Sequence, residues 1–253
     1  MRRYAGRYSG FGTMDTSRVA IVAALEREVR PLVKGWRVRE QEFDGRHFRF
    51  FERDNFVLVA GGIGAEAARR AAEAVIGIFA PTLIYSAGFA GALDPGLKVA
   101  DVLHPKWLVN AGDGSSVQFD QGEGLLVSFG SVAGPEQKKK LRGSFGAQAV
   151  DMEAAAVARA AELRGIGFGV VKVVSDEFDF RFPSIERFVD GEGRFSEARF
   201  AWFAALRPWL WAGVLRLARH SNRASGVLCE QLRMVMAASS QANTSLLAAG
   251  NRR

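Results

Sequence analysis

A chain of 253 residues with 48% hydrophobic and 24% charged residues has the composition of a globular protein of one or two domains. A single cysteine, Cys229, excludes an internal disulfide and a multi-cysteine metal site, and His47, His104 and His220 lack ligand spacing, so no metal is expected. The net charge of +7 sits at the ends: residues 1–18 carry four Arg and one Asp, residues 199–253 eight Arg and one Glu, and the middle is net acidic, which argues against a nucleic-acid groove across the domain.

Residues 1–17 are rich in Arg, Gly and Tyr without an apolar run; they read as a disordered tail, not a secretory signal, with Met14 as an alternative start. RVAIVAA at 18–24 is an apolar run ending in small residues, a buried strand. A helix follows over 25–34, with Leu25, Val29, Leu32 and Val33 on one face and Pro31 in its early turns, where a missing amide proton costs least. Residues 47–52 and 55–60 read as a hairpin turned at Arg53-Asp54. Gly61-Gly62-Ile63-Gly64 opens an alanine-rich helix over 65–79, closed by Pro81, and 82–87 is another buried strand. A small-residue loop spans 88–96, and 99–109 reads as a strand broken at Pro105. Residues 110–124 have loop composition, 124–129 form a strand and 136–142 a short basic helix.

The stretch AVDMEAAAVARAAELRGIGFGVVKVVSD at 149–176 sets Asp151 and Glu153 at the start of a helix. It then runs through a glycine turn into a β-branched strand that stops at Ser175-Asp176. Residues 180–194 read as irregular, the pattern from 196 onward is helical, and the last dozen residues read as a frayed end. Strands and helices alternate through the first 175 residues, which predicts an α/β fold: a three-layer mixed, mostly parallel sheet flanked by helices. The expected organisation is one catalytic domain over 18–195, a helical extension over 196–240 packed on it or at an interface, and an end segment over 241–253.

Ligands of open α/β sheets bind beyond the carboxyl ends of the strands. Four such ends carry chemistry here: Glu26 and Glu28, residues 61–64, residues 88–91, and Ser175-Asp176. The 61–64 turn either offers amides to an anion or sugar or is simply a tight turn; it lacks the third glycine and the distal acid of a dinucleotide fingerprint. Asp151 and Glu153 both suit a helix cap, and Glu153 alternatively accepts hydrogen bonds from vicinal ribose hydroxyls. Asp176 either caps the next turn or donates a proton with a pKa raised by burial. Glu28 is either a surface acid or a carboxylate that binds and activates water.

Taken in order, VAIVAALEREV at 19–29, AGGIGAEAA at 60–68, SAGFAGALDPGLKVADVL at 86–103 and AVDMEAAAVA with VVKVVSD within 149–176 give the chain a family resemblance over about 18–190. It resembles the nucleoside phosphorylase and nucleosidase superfamily, most of all the methylthioadenosine and S-adenosylhomocysteine nucleosidases. That resemblance implies a nucleoside phosphorylase-like fold, hydrolysis of an adenine nucleoside with release of adenine in methionine salvage, no cofactor, a homodimer and a cytoplasmic location. By it, Glu28 positions and deprotonates water, Met152 and Glu153 contact the ribose, Asp176 protonates the purine and Ser175 orients the base. Phe89, Gly91, Ile63 and Ala133 are further expected substrate contacts.

The sequence also departs from that family. Phe89 stands where a small hydroxyl residue is usual, the loop between Val102 and Gly124 is short, and Ser131-Val132-Ala133 replaces a more aromatic stretch near the base. Related hexameric phosphorylases place arginines in the first and third strand-end loops. Here the first loop reads Leu25-Glu26-Arg27-Glu28 and the third carries no Arg, so water is the expected nucleophile, with Lys172 or Arg27 as the residues that would serve phosphate. Aromatic residues and arginines interleave over 199–219, where core or oligomer packing competes with an amphipathic helix at a membrane surface; the latter would suit a lipid-linked adenosine such as adenosylhopane. The apolar stretch 200–215 is interrupted and too short to span a bilayer. A non-catalytic nucleoside-binding protein is the reading from a different class; Phe89 favours it, and Glu28, Glu153 and Asp176 oppose it.

Overall fold

The computed structural model describes residues 18–180, 188, 190, 193, 196, 199 and 211–250, with the side chains of 212 and 242–250 left aside. The expected tail over 1–17, most of the irregular segment over 180–194 and the aromatic stretch over 200–210 lie outside the described residues. The elements in chain order are β1 (Val19–Ala23), α1 (Glu26–Val33), β2 (Arg37–Phe43), β3 (Arg46–Arg53), β4 (Phe56–Ala60), α2 (Ala65–Phe79), β5 (Leu83–Ala92), β6 (Val102–Leu103), β7 (Trp107–Asn110), β8 (Ser116–Gln118), β9 (Leu125–Ser128), α3 (Pro135–Phe145), β10 (Ala149–Asp151), α4 (Ala154–Glu162), β11 (Gly167–Asp176) and α5 (Trp211–Gly250).

All strands join one mixed sheet flanked by helices. β1 runs parallel to β4 on one side and β5 on the other, so Ala23 lies beside both Ala60 and Ala87. β11 runs parallel to β5 on the latter's far side. The carboxyl ends of β1, β4, β5 and β11 therefore emerge along one edge of the sheet, where a ligand can meet all four.

The period-two alternation of β1 sorts the core into two layers. Ala20 and Val22 pack with α2 and α4 through Ala71, Val75 and Val157, while Val19, Ile21 and Ala23 pack with α1 and α5 through Val29, Leu32, Leu228 and Leu232. Burial of both faces explains why β1 is apolar at every position. The alanines of α2 let that helix lie close to the sheet: Ala67, Ala68, Ala71, Ala72 and Ala74 are all buried. Gly61 belongs to the same contact, since a Cβ there would fall 2.5 Å from that of Ala71.

Helix α1 is eight residues long and Pro31 lies in its second half rather than in its early turns. Proline cannot donate to the carbonyl four residues back, that of Arg27. Ser225 of α5 reaches this turn: its hydroxyl donates to the Glu28 carbonyl at 2.8 Å and lies 3.5 Å from the Arg27 carbonyl.

Several local readings are corrected. The loop expected over 88–96 is largely strand, because β5 continues to Ala92 between β11 and the antiparallel β10, which supply partners that local composition does not reveal. Phe89 and Gly91 are thus strand residues. The strand expected over 99–109 divides into β6 and β7 on either side of Pro105, and the segment 110–124 contains β8. Asp151 ends β10 and does not begin a helix; α4 starts at Ala154, with Glu153 as its N-cap residue. β2 had no counterpart in the sequence reading: as an edge strand with no residue fully buried, it has no apolar run to betray it. Helix α5 is continuous over 40 residues to Gly250, within the stretch read as frayed.

Candidate active site

At the shared carboxyl edge lies a cleft of about 330 Å³. Glu28 enters it from the β1–α1 junction, Ile63 from the turn before α2, and Phe89 and Gly91 from β5. Met152 and Glu153 enter from the β10–α4 junction, Ser175 and Asp176 from the end of β11, and Ala133 from the segment before α3. Each residue expected to act in catalysis or to contact substrate therefore lines this one cleft, whereas Glu26, the other acid named at the end of β1, lies outside it and pairs with Arg49 at 2.8 Å. Val214, Leu217 and Ala218 of α5 add an apolar wall, with Ser221 and Asn222 beside it.

Glu28 is buried, and its Oε2 has no hydrogen-bond partner among the described residues. Burial first, and the negative charge of Glu153 second, push its pKa from 4.5 to about 8, while Lys172 and Arg27 pull the other way. The space that its carboxyl occupies exists because residue 88 is glycine: a Cβ there would lie 3.0 Å from Glu28 Oε2.

Glu153 is held from two directions. The backbone N–H of Gly64 donates to its Oε1 at 2.9 Å and that of Met152 to its Oε2 at 3.3 Å. The glycine turn thus aims an amide at a protein carboxylate. Burial raises the pKa of Glu153, and Lys172 opposes the rise.

Asp151 supports this arrangement from below. Its Oδ2 accepts from the N–H of Ala154 at 2.8 Å and its Oδ1 from the Ser128 hydroxyl, which itself accepts from the N–H of Ala155 at 3.0 Å. Asp151 thereby caps α4, as read from the sequence. Lys172 Nζ lies 2.8 Å from Asp151 Oδ2 and 3.9 Å from Glu153 Oε2, at 1% exposure. Its charge is neutralised by these acids, which leaves it a poor seat for phosphate.

Asp176 is paired with a residue that sequence reasoning missed. Lys138 of α3 is 1% exposed, its Nζ forms an ion pair with Asp176 Oδ2, and it donates to the Glu177 carbonyl at 2.7 Å. Ser175 Oγ donates to Asp176 Oδ1 at 2.7 Å. Burial raises the Asp176 pKa, against the lowering effects of Lys138 and Ser175. Lys139 and Lys140 are exposed, so one lysine of three turns inward. The available signal was its position three residues before the buried Leu141, on the same helix face.

The cleft therefore combines a carboxyl of raised pKa at one strand end, a second at another, and a hydrogen-bonded carboxylate at a helix start. It can bind a polyhydroxylated ligand, take a proton from a nucleophile and give one to a leaving group. Among the described residues there is no cluster of His, Cys, Asp or Glu suited to a metal ion, and no helix long and apolar enough to cross a membrane.

A sequence profile described as the phosphorylase superfamily matches residues 18–134 and 127–205. A 5'-methylthioadenosine/S-adenosylhomocysteine nucleosidase from Staphylococcus aureus is 29% identical over 196 residues, covering 62% of this chain and 86% of the relative. The fold is similar to that of native futalosine hydrolase of Helicobacter pylori, with a TM-score of 0.61 and 20% identity over 87% of this chain and 98% of that one. It is also similar to the 5'-methylthioadenosine/S-adenosylhomocysteine nucleosidase of Neisseria meningitidis in complex with methylthio-immucillin-A, with a TM-score of 0.61 and 21% identity over 85% and 96% of the two chains. By the match of its sequence over most of its length, this chain belongs to the phosphorylase superfamily.

Proposed function

We propose that the chain hydrolyses the N-glycosidic bond of an adenine nucleoside of the 5′-methylthioadenosine/S-adenosylhomocysteine type and releases adenine. The observation that carries this reading is the convergence of Glu28, Glu153 and Asp176, all buried and all raised in pKa, on one cleft. Breaking a ribosyl bond builds positive charge on the sugar and negative charge on the base. Glu153 accepts hydrogen bonds from the ribose hydroxyls and stabilises the cationic sugar. Glu28 takes a proton from the attacking water, and Asp176 delivers one to the purine. Water is favoured over phosphate because the cleft floor is acidic and Lys172 is already paired.

A second reading has its own support. Val214, Leu217 and Ala218 give the cleft an apolar wall, and Trp211 and Leu215 on the same helix are 52% and 55% exposed. That favours an apolar group on the ribose 5′ carbon, up to a lipid-linked adenosine presented at a membrane surface.

Adenine release from 5′-methylthioadenosine, S-adenosylhomocysteine and adenosine, each with and without phosphate, is the test. Release from the first two in phosphate-free buffer is the expected result. Strict dependence on phosphate would make the chain a phosphorylase, and tight binding without release would make it a nucleoside-binding protein.

A further inference from the structure

We propose that the proton given to the departing base is supplied by a Lys138–Asp176 couple, with Lys138 as the positioning residue that feeds Asp176. This rests on the nucleosidase reading above and extends it to a residue that neither the motifs nor the strand ends indicated.

Lys138 is buried, at 1% exposure. Removing an ammonium from water is costly unless it is paired and hydrogen-bonded. Lys138 meets both conditions inside the cleft: Asp176 Oδ2 takes the ion pair and the Glu177 carbonyl accepts a second N–H. Residue 91 is shaped for the couple, since a Cβ on Gly91 would lie 3.0 Å from Asp176 Oδ2 and 3.3 Å from Lys138 Nζ. Among the described residues, the other groups that face the pair are few. Ser175 of β11 donates to the second Asp176 oxygen, His220 of α5 acts on Asp176 through its charge, and the Glu177 carboxylate lies 3.9 Å from Lys98. The remaining buried lysine, Lys172, is engaged by Asp151 and Glu153.

In the resting pair Lys138 is an ammonium and Asp176 a carboxylate. When the ribose C1′–N9 bond breaks, its electron pair moves onto the purine. The Lys138 proton passes to the Asp176 carboxylate and on to N7 of the purine. Lys138 is left as the amine and Asp176 as the carboxylate. Water forms the new bond to C1′ and its proton goes to Glu28. Glu28 then loses that proton to solvent and Lys138 regains one, so each cycle consumes one water and one nucleoside.

Three variants and a titration test the couple. Lys138→Met removes the proton, so the alkaline limb of the kcat profile should move to lower pH by about one unit or more, as Asp176 must then hold its own proton. Lys138→Arg keeps the charge but not a transferable proton, so kcat should fall at least about tenfold while KM changes by less than about threefold. Full kcat in Lys138→Arg, or an unmoved alkaline limb in Lys138→Met, overturns the proposal. The titration is independent of turnover. By 13C NMR of Asp-labelled protein, with Asp176→Asn to assign the signal, the Asp176 carboxyl should be ionised at neutral pH in the parent and titrate at higher pH in Lys138→Met. Identical titrations overturn the couple. Absence of base release by the parent protein sinks the nucleosidase reading alone, and the titration then decides on Lys138 and Asp176 by itself.

Discussion

The backbone N–H of Gly64 donates to Glu153 across 89 positions of sequence, at 2.9 Å. This bond joins the turn after β4 to the start of α4 and fixes a carboxylate in the middle of the cleft. Glu153→Gln preserves shape and the Gly64 contact but removes the charge proposed to face the ribose. It should lower kcat/KM by about 10–100-fold, the size of a hydrogen bond to a charged group, with little change in the unfolding midpoint. Steady-state kinetics beside a urea titration measure both.

Asp176→Asn cannot donate a carboxyl proton, yet it still offers Ser175 an acceptor. Nucleoside binding should survive and turnover should drop by about 100-fold or more. Equilibrium binding and single-turnover adenine release separate the two quantities; near-normal turnover would remove Asp176 from the acid role.

Glu28 must be ionised to take a proton from water, and its pKa is pushed up to about 8. The kcat/KM of the free enzyme should therefore rise with pH and level off above that value. Glu28→Gln should abolish this acid limb together with most of the activity. A limb near the ordinary carboxylate range would contradict the assignment.

The same shift governs stability. The folded protein keeps a proton on Glu28 that the unfolded chain releases above 4.5, so the stabilisation is fully present below 4.5 and is lost as pH rises through about 8. Glu153 and Asp176 are shifted in the same direction. Each group contributes a slope of at most ~1.4 kcal/mol per pH unit inside its window. Urea midpoints should decline from pH 5 to pH 8, and the decline should be shallower in Glu28→Gln.

Gly61→Ala introduces a methyl group 2.5 Å from Ala71 Cβ and 2.9 Å from the Ala67 carbonyl oxygen. Helix α2 must move away from the strand edge, at a destabilisation of about 1–3 kcal/mol. Thermal unfolding gives that number. A shift in substrate KM would show that the turn at Ile63 moves with the helix.

Much of this was legible in the residues, and the rest was hidden for identifiable reasons. Strand β1 announced itself because both of its faces are covered and every position is apolar, and β11 because its β-branched run, interrupted by Lys172, ends at a polar pair. The site carboxylates were visible because each sits at or just beyond the carboxyl end of a strand: Glu28 after β1, Glu153 after β10 and Asp176 at the end of β11. Lys138 was hidden because a lysine in a run of three reads as solvated surface, and only the approach of Asp176 from β11 gives it a reason to turn inward. The extension of β5 through Gly88 and Gly91 was hidden because its pairing partners lie more than 50 residues away in sequence. One local signal marks β2: Asp44-Gly45, both at positive φ, joins it to β3, the dipeptide expected of a tight hairpin.

The serine that reaches the Glu28 carbonyl sits almost two hundred residues downstream of it, on the final helix of the described structure. During synthesis β1 and α1 emerge before α5, with the candidate base already in the chain but without the wall it packs against. The cleft is closed only when Ser225, Leu228 and the apolar residues from Val214 to Ala218 arrive. The wall of the cleft is thus completed late, when α5 docks against α1.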